Sequence, residues 1–230
     1  MIVYGRNAVR EALRGPREVT SVWATDRAGR ESWLRGMEVC PARADELERR
    51  CGSDAHQGIV AEVSPYGYVE AADLLDRAEP LIVALDQIQD PQNLGAIARS
   101  AECAGATGLV LPRHGSADVT PAVCRASAGA VEHMAIARVR NLADFLGDAK
   151  ASGCWCYGTV AGAARDYRSP DYRGGVVCVF GSEGRGLRPR VAAACDALIA
   201  VPMRGRIESL NVATAVAVVL YGILQQRDAT

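Results

Sequence analysis

Three stretches of the chain place polar residues and glycine directly after an apolar run. The run at 81–86 is followed by QIQDPQNLGAIARS, the run at 176–181 by SEGRGL, and the run at 197–202 by MRGRIESLN. In an open α/β sheet, ligands bind beyond the carboxyl ends of the strands. We therefore expect these stretches to meet at one edge of a sheet, where their amide, hydroxyl, carboxylate and guanidinium groups would form a binding site.

Each stretch also has a purely structural interpretation. Asn93 suits the N-cap of a helix, which would make Arg99 a surface arginine, and Ser209 or Asn211 suits the N-cap of the last helix. The glycines around Glu183 suit a tight turn. These interpretations stay open for each stretch alone, but they do not explain why three such stretches follow strands of one predicted sheet.

Other kinds of site lack their sequence patterns. The phosphate-binding patterns GxxxxGK[ST] and GxGxxG are absent, which disfavours an unrelated nucleotide-binding enzyme. The three histidines, His56, His114 and His133, show no metal-ligand spacing and no persuasive Ser-His-Asp order. We therefore predict no metal site.

The elements that would position these residues follow from the apolar runs after residue 80. Helical patterns lie between several of the runs, and strands buried on both faces and separated by helices predict an α/β fold with a parallel sheet and helices on both sides. The predicted strands are 81–86, 108–112, 134–139, 154–160, 176–181 and 197–202, and the predicted helices are 93–104, 120–127, 142–151 and 189–195. The segment 211–224 is apolar nearly all round, which predicts a helix buried on most sides, in part by a second subunit.

The first part of the chain has a different pattern. It mixes an amphipathic segment at 7–13, an apolar run at 19–24, a helix-like stretch at 42–50 and an alternating strand pattern at 56–63. We predict a small domain at 1–66, a linker at 67–80 and a larger domain at 81–230.

Composition sets further bounds. The chain has 230 residues, 49% of them hydrophobic, and a net charge of −1, which excludes a disordered chain. Of 26 basic residues only Lys150 is lysine; arginine suits phosphate contacts, although codon bias explains the skew equally well. No apolar run reaches the ~18–20 residues of a membrane span and no signal peptide is visible, so we expect a cytoplasmic protein. The eight cysteines form no CxxC pair, so we expect buried, reduced thiols, including Cys103, Cys178 and Cys195.

Taken together, the three stretches resemble the three motifs of the SpoU family of RNA ribose 2′-O-methyltransferases, in the SPOUT superfamily. DPQNLGAIARSAECAG resembles the first motif, VCVFGSEGRGL the second and IAVPMRGRIESLNVATAVAVVLYG the third, in the family's order across 81–226. YGRNAVREAL and HQGIVAEV resemble the first and last elements of the substrate-binding domain that precedes the motifs in many members. The chain is most similar to members that methylate a guanosine of large-subunit ribosomal RNA. It departs from the family pattern in a short segment between Ala24 and Val39.

The resemblance implies a C-terminal domain with a trefoil knot and a small, L30e-like α/β domain for RNA before it. It also implies a pocket for S-adenosylmethionine. By position, Gly181, Val201 and Leu210 correspond to cofactor contacts of the family, with Met203 and Gly205 nearby. This cofactor carries no phosphate, which agrees with the missing phosphate loops.

The reaction implied is methyl transfer to a ribose 2′-hydroxyl. Arg99 would act on that hydroxyl, either as the base or as a clamp on the target's phosphate, and Glu183 would orient its guanidinium. Asn93, Ser209 and Asn211 would help to hold Arg99 and the ribose. The family acts as a homodimer through the C-terminal helix, with Arg99 close to the partner's site, while the first domain holds structured RNA by shape and backbone.

Other functions remain open at this point. A transfer RNA enzyme, or a ribosomal RNA enzyme that confers antibiotic resistance, would share the same motifs. A non-catalytic RNA-binding assembly factor that keeps the fold is the alternative from another class, and intact Asn93, Arg99, Glu183, Ser209 and Asn211 argue against it.

Overall fold

The computed structural model describes residues 1–229 and contains two β-sheets. The smaller sheet has the strand order β1-β4-β2-β3, with β4 antiparallel to β1 and β2, and β3 parallel to β2. Its elements are β1 (Ile2–Tyr4), α1 (Arg6–Arg14), β2 (Val19–Ala24), β3 (Cys40–Pro41), α2 (Ala44–Cys51) and β4 (Ile59–Val63). Two short 3₁₀ turns, Ala28–Arg30 and Ser32–Leu34, fill the segment between β2 and β3.

The larger part alternates helices and strands. Its elements are α3 (Ala71–Leu75), β5 (Leu81–Asp86), α4 (Pro91–Cys103), β6 (Gly108–Pro112), α5 (Pro121–Ala126), β7 (Ile136–Val139), α6 (Leu142–Ala151), β8 (Trp155–Thr159), β9 (Arg165–Asp166), β10 (Val176–Gly181), α7 (Pro189–Ala194), β11 (Ala197–Ala200) and α8 (Val212–Asp228). The strand order is β7-β6-β5-β10-β8-β11-β9, and every pairing in this sheet is parallel.

Helices cover both faces of the larger sheet, which confirms the predicted α/β class. On the central strand β5, Val83 and Leu85 face a core shared with α4, α5 and α8. Ile82 and Ala84, which alternate with them, face a core shared with α3, α6 and α7. The fully buried strands explain why the apolar runs in the sequence are continuous rather than alternating.

Two helix starts test the predicted N-caps. The prediction that Asn93 caps α4 is wrong, because the helix begins three residues earlier with Asp90, whose side chain accepts a hydrogen bond from the Gln92 N–H. Pro91 takes the first helical position, where a missing N–H costs nothing. The alternative in which Asn211 caps α8 is confirmed, since its side chain accepts hydrogen bonds from Ala213 N and Thr214 N.

The two parts of the chain share one continuous core and a buried ion pair. Arg17, between α1 and β2, pairs with Glu132, and their side chains are 6% and 0% exposed. The segment predicted as a linker packs against the larger sheet as well: the Val69 N–H donates to Ile136 O at 3.0 Å, and Leu74 in α3 is fully buried. The predicted domain boundaries at 66 and 80 stay a prediction.

All eight cysteines are free thiols. Cys124, Cys154, Cys156 and Cys178 are buried, and burial raises the pKa of the Cys178 thiol to about 12. The expectation of a buried thiol is wrong for Cys103, which is exposed near the end of α4, and only partly met by Cys195. Within residues 1–229, no helix combines the length and the apolar character needed to cross a membrane.

Candidate active site

A cavity of about 520 Å³ opens at the carboxyl ends of β8, β10 and β11. Its walls come from three separate segments of chain: 159–161 at the end of β8, 180–186 around the end of β10, and parts of 201–212 from the end of β11 to the start of α8. The second and third polar stretches of the sequence therefore do meet at one edge of the sheet. The first stretch reaches the same edge through the start of α4.

Three side chains join these stretches. Asn211 Nδ2 donates to Glu183 Oε1 at 2.5 Å and to Asn93 Oδ1 at 2.9 Å, and Asn93 Nδ2 donates to Glu183 Oε1 at 3.2 Å. Asn93 comes from α4, Glu183 from the loop after β10, and Asn211 from the N-cap of α8. This hydrogen-bonded group, Asn93–Glu183–Asn211, is called the polar triangle below.

A tight loop presents Glu183 to the cavity. Ser182 and Gly186 form an isolated antiparallel bridge, and Gly184 and Gly186 have φ of 77° and 64°, a conformation that favours glycine. At Gly181 a Cβ would lie 2.1 Å from the carbonyl carbon of Gly186, so only glycine fits where the loop folds back on the strand end.

Asp86 anchors the other end of this loop. It is fully buried at the end of β5 and accepts hydrogen bonds from Arg188 N and Arg188 Nε, both at 2.8 Å. A buried carboxylate needs such partners, and bonding to both backbone and side chain fixes where α7 begins. Asp86 was not singled out in the sequence, although its position as the last residue of a buried apolar run is the signal for it.

The N-terminus of α8 favours a negative group beside it. Asn211 accepts from the first free N–H groups of the helix, and the Val212 N–H lies 3.5 Å from Glu183 Oε1. The partial positive charge of a helix N-terminus stabilises a carboxylate there. The position of Glu183 is therefore fixed by hydrogen bonds from α4 and from the start of α8.

The residues predicted as cofactor contacts mostly line the cavity. Gly181, Val201, Met203 and Leu210 lie in its wall, as does Ser209, which was predicted to help hold the substrate. Gly205 does not; it lines an adjoining cavity of about 680 Å³ that shares Val201 and Met203 with the first.

Arg99 lies elsewhere. It is exposed on α4, it lines neither of these cavities, and within residues 1–229 its guanidinium makes no hydrogen bond or ion pair. The predicted pair between Arg99 and Glu183 is therefore absent from a single chain. The reason is helical geometry: six positions after Asn93 correspond to a rotation of roughly 600°, which turns the side chain about 120° away from the polar triangle.

The sequence did not reveal the third wall of the cavity. Thr159, Val160 and Ala161 line it at the end of β8, and the Thr159 Oγ1 is buried without a hydrogen-bond partner in the described chain. No charged residue marks this strand end, although Gly158 and Gly162 flank it, so its position at the end of a predicted strand was the main signal for it.

The arrangement can bind and orient a polar ligand. The polar triangle uses a carboxylate and two amides, and no thiol lines the cavity. Within residues 1–229, no cluster of His, Cys, Asp or Glu could hold a metal ion.

Comparison with known families agrees with this geometry. The model of the SpoU rRNA Methylase family matches residues 80–221, and the model described as RNA 2′-O ribose methyltransferase substrate binding matches residues 2–69. The first match alone covers more than half of the chain. The chain therefore belongs to the SpoU rRNA methylase family.

Two curated relatives match nearly the whole chain. An uncharacterized tRNA/rRNA methyltransferase of Synechocystis is 40% identical over 98% of this chain, which spans 62% of that relative's length. The 23S rRNA (guanosine-2′-O-)-methyltransferase RlmB of Pseudomonas putida is 38% identical over 98% of this chain and 96% of its own.

Solved structures share the fold. The SpoU methyltransferase AviRb of Streptomyces viridochromogenes, in complex with AdoMet, has a TM-score of 0.83 and 27% identity, covering 100% of this chain and 91% of its own. A structure described for the 2-OH methylation of C/U34 on tRNA has a TM-score of 0.59 and 31% identity, and covers 66% of this chain and 99% of its own.

Proposed function

We propose that the protein transfers a methyl group from S-adenosylmethionine to a ribose 2′-hydroxyl of RNA, with a guanosine of large-subunit ribosomal RNA as its target. The observation that carries the proposal is the polar triangle at the mouth of the cavity, where all three family motifs meet. Its place of action would be the cytoplasm, where a ribosomal RNA substrate is made.

The choice of ribosomal over transfer RNA rests on the first part of the chain. RlmB, which is named for 23S rRNA, matches the chain over 98% of its length, so it shares this part. The tRNA enzyme is itself 99% covered yet matches only 66% of this chain. The tRNA enzyme lacks the first part of this chain. We therefore assign this part to a substrate that needs a second contact surface.

The cavity fits S-adenosylmethionine. Phe180, Val201 and Leu210 supply apolar walls, and Gly181 leaves backbone exposed where a side chain would not fit. The unpartnered Thr159 hydroxyl gains a partner from a polar ligand.

The chain's own residues would then position the substrate. The bound cofactor supplies an already activated methyl group. The polar triangle fixes the entrance to the cavity so that a ribose hydroxyl can be held in line, and such orientation contributes up to ~7–11 kcal/mol in well-aligned reactions. Arg99, an exposed guanidinium, would clamp the phosphate next to the target ribose, since arginine rarely gives up its proton.

We propose that Arg99 reaches a partner's cavity in a homodimer built on α8. That helix carries a stripe at helical spacing, in which Thr214, Tyr221 and Gln225 are exposed and Val218 is partly exposed; Tyr221 is 50% exposed. The helix that carries Arg99, α4, packs beside α8. Two-fold pairing through this stripe would bring the α4 helix of one protomer towards the cavity of the other.

We also propose that the chain is knotted here. Although knots are rare in proteins, the segment 201–210 and the loop after β10 close the same cavity before α8 packs back on β5 and β10. The family resemblance supports this threading.

Mixing two inactive variants tests both the reaction and the dimer. Arg99→Ala should lose methyl transfer to ribosomal RNA and keep its affinity for S-adenosylmethionine. Leu210→Arg blocks the cavity but keeps Arg99. After subunit exchange at equal amounts, half of the dimers are mixed and each has one complete site, so about a quarter of the wild-type activity should return.

The readouts separate the alternatives. Labelled methyl transfer to ribosomal and to transfer RNA is measured for each variant and for the mixture. An active Arg99→Ala variant removes Arg99 from the mechanism, and no recovery in the mixture means that Arg99 acts within its own chain or not at all. A wild-type protein that binds RNA but methylates none would be an assembly factor.

A further inference from the structure

A second cavity lies in the first part of the chain, at one end of the smaller sheet. Its volume is about 470 Å³, within the ~300–1,000 Å³ typical of small-ligand sites. No carboxylate lines it; the lining residues with polar side chains are Arg6, Thr25, Arg27, His56 and Gln57, and the others are small.

His56 is the most buried of these polar residues. Its side chain belongs to the cavity wall although the residue is only 8% exposed. Its Nδ1 accepts a hydrogen bond from the Gly58 N–H at 2.9 Å, so the ring hydrogen is on Nε2. Within the described chain Nε2 has no partner. A donor on a largely buried ring is thus available to a ligand in the cavity.

The charge around the cavity suits a phosphate group. Arg27 is exposed and makes no ion pair within residues 1–229, while Arg6 pairs with Glu31 at 3.0 Å and keeps 41% of its side chain exposed. An adjoining cavity shares Thr25 and Arg27 with it, and its lining also includes Arg43 and two acidic residues, Asp26 and Glu46. The second cavity is therefore more positively charged than the adjoining one.

Backbone contacts between the end of β2 and the start of β4 fix the shape of this cavity. Gly58 has φ of 80°, and a Cβ there would lie 2.7 Å from Thr25 Oγ1, so only glycine allows the end of β2 and the start of β4 to approach this closely. Thr25 N donates to Gly58 O at 2.9 Å across the same gap. Such a preformed site loses little conformational entropy when it binds a ligand.

Direct contacts link this cavity to the candidate active site. Arg125 of α5 donates to Ala55 O at 3.1 Å, next to His56. Its neighbour Ala126 packs on α4 at Gly95, where a Cβ would lie 2.5 Å from the alanine side chain. Gly95 is two residues from Asn93 of the polar triangle, so a chain of packed residues connects the two regions.

We propose that this second cavity binds one unstacked nucleotide of the RNA substrate. Arg6 and Arg27 contact its phosphate, and His56 Nε2–H donates to an acceptor on its base or ribose. Proteins read single-stranded and bulged RNA in this way, by enclosing a splayed nucleotide. The inference rests on the proposed function, since it takes RNA as the substrate.

Variants of the full chain test the proposal with unmodified large-subunit ribosomal RNA transcribed in vitro. Arg27→Ala should bind this RNA roughly 5- to 10-fold more weakly, and the slope of log affinity against log salt should fall by about one, because one phosphate contact is lost. Arg30→Ala is the matched control: Arg30 is exposed three residues away and lines neither cavity. It should bind RNA as the wild type does.

Photo-crosslinking avoids any dependence on folding of the variants. RNA that carries 4-thiouridine should crosslink to wild-type protein within residues 25–28 or 56–58. Crosslinks confined to other segments, or equal RNA affinity of Arg27→Ala and Arg30→Ala, would overturn the proposal. So would tight binding of free guanosine monophosphate together with unchanged RNA binding by Arg27→Ala, which would indicate a mononucleotide site. Methylation of the RNA by wild-type protein is measured in parallel, so failure of this site and failure of the proposed function are distinguished.

Discussion

At the scale of single residues, the site depends on one carboxylate held by two amides and a helix N-terminus. Glu183 accepts from Asn211, Asn93 and the Val212 N–H, and each of these donors belongs to a different part of the sequence from Glu183 itself. Hydrogen bonds to a charged acceptor are about twice as strong as neutral ones. The position of the cavity mouth therefore depends on the charge of Glu183.

Glu183→Gln should test this dependence. The glutamine side chain keeps the shape of the glutamate but loses its negative charge. Its NH2 group donates hydrogen bonds where a carboxylate oxygen accepted them, so it would face the donors of Asn93 and Asn211. We expect methyl transfer to fall by about 10- to 100-fold, a loss of ~1.4–2.7 kcal/mol of transition-state stabilisation, with cofactor affinity within about twofold of wild type. Isothermal titration calorimetry and a single-turnover assay measure the two effects, and Glu38→Gln on the surface is the control. Unchanged turnover would show that the charge is not needed.

Thr159 gives a separate test of the cofactor pocket. Thr159→Val keeps the shape and removes the buried hydroxyl that lacks a partner. If that hydroxyl binds the cofactor, the dissociation constant for S-adenosylmethionine should rise by about 2- to 10-fold, the value of one hydrogen bond, while Thr159→Ser stays close to wild type. Equal affinity of all three proteins would place the cofactor away from the end of β8.

At the scale of elements, the apolar runs predicted the strands well, but they predicted only part of the segments that form the site. β5, β6 and β10 occupy the predicted residues because strands buried on both faces need unbroken apolar sequence. The start of α4 was misplaced because Pro91 and Asp90 outcompete Asn93 as a start signal. The wall after β8 was missed because Thr159 to Ala161 look like the end of an ordinary strand.

The stripe on α8 predicts how the chain self-associates. Tyr221→Glu places a charge in the middle of the proposed interface, so the dimer dissociation constant should rise by at least about tenfold, since burial of an unpaired charge is costly. Sedimentation velocity measures it. Met37→Glu, at another exposed apolar residue that is 42% exposed, is the control and should leave association unchanged. A monomeric wild type would contradict the proposed dimer.

At the scale of the whole molecule, the two parts behave as one folded unit. The core is continuous between them, and the Arg17–Glu132 pair spans their contact. Burial alone would lower the pKa of Arg17, but the hydrogen bond and charge of Glu132 outweigh it and raise the pKa. Removing residues 1–65 would leave Glu132 without Arg17, its ion-pair partner. Point variants therefore test the first part of the chain better than truncation does. Sequence could not predict this contact, because the two residues are 115 positions apart.

Arg17→Met should measure the strength of this contact. It leaves a buried carboxylate unpaired, which typically costs ~3–5 kcal/mol of unfolding free energy, and Arg17→Met with Glu132→Gln should recover part of the loss. Urea unfolding at neutral pH gives the values. Arg43→Met breaks the exposed pair with Asp45 and should cost no more than ~1 kcal/mol. Equal effects of the buried and the exposed change would mean that the two parts are not coupled through this pair.

The central claim is that the edge where β8, β10 and β11 end transfers a methyl group to RNA ribose. The most direct measurement maps 2′-O-methyl groups on ribosomal and transfer RNA from cells with and without the protein. We predict that one 2′-O-methylguanosine of large-subunit ribosomal RNA disappears when the protein is absent and returns with the wild type but not with Arg99→Ala. An unchanged set of ribose methyl groups in both RNAs would contradict the account.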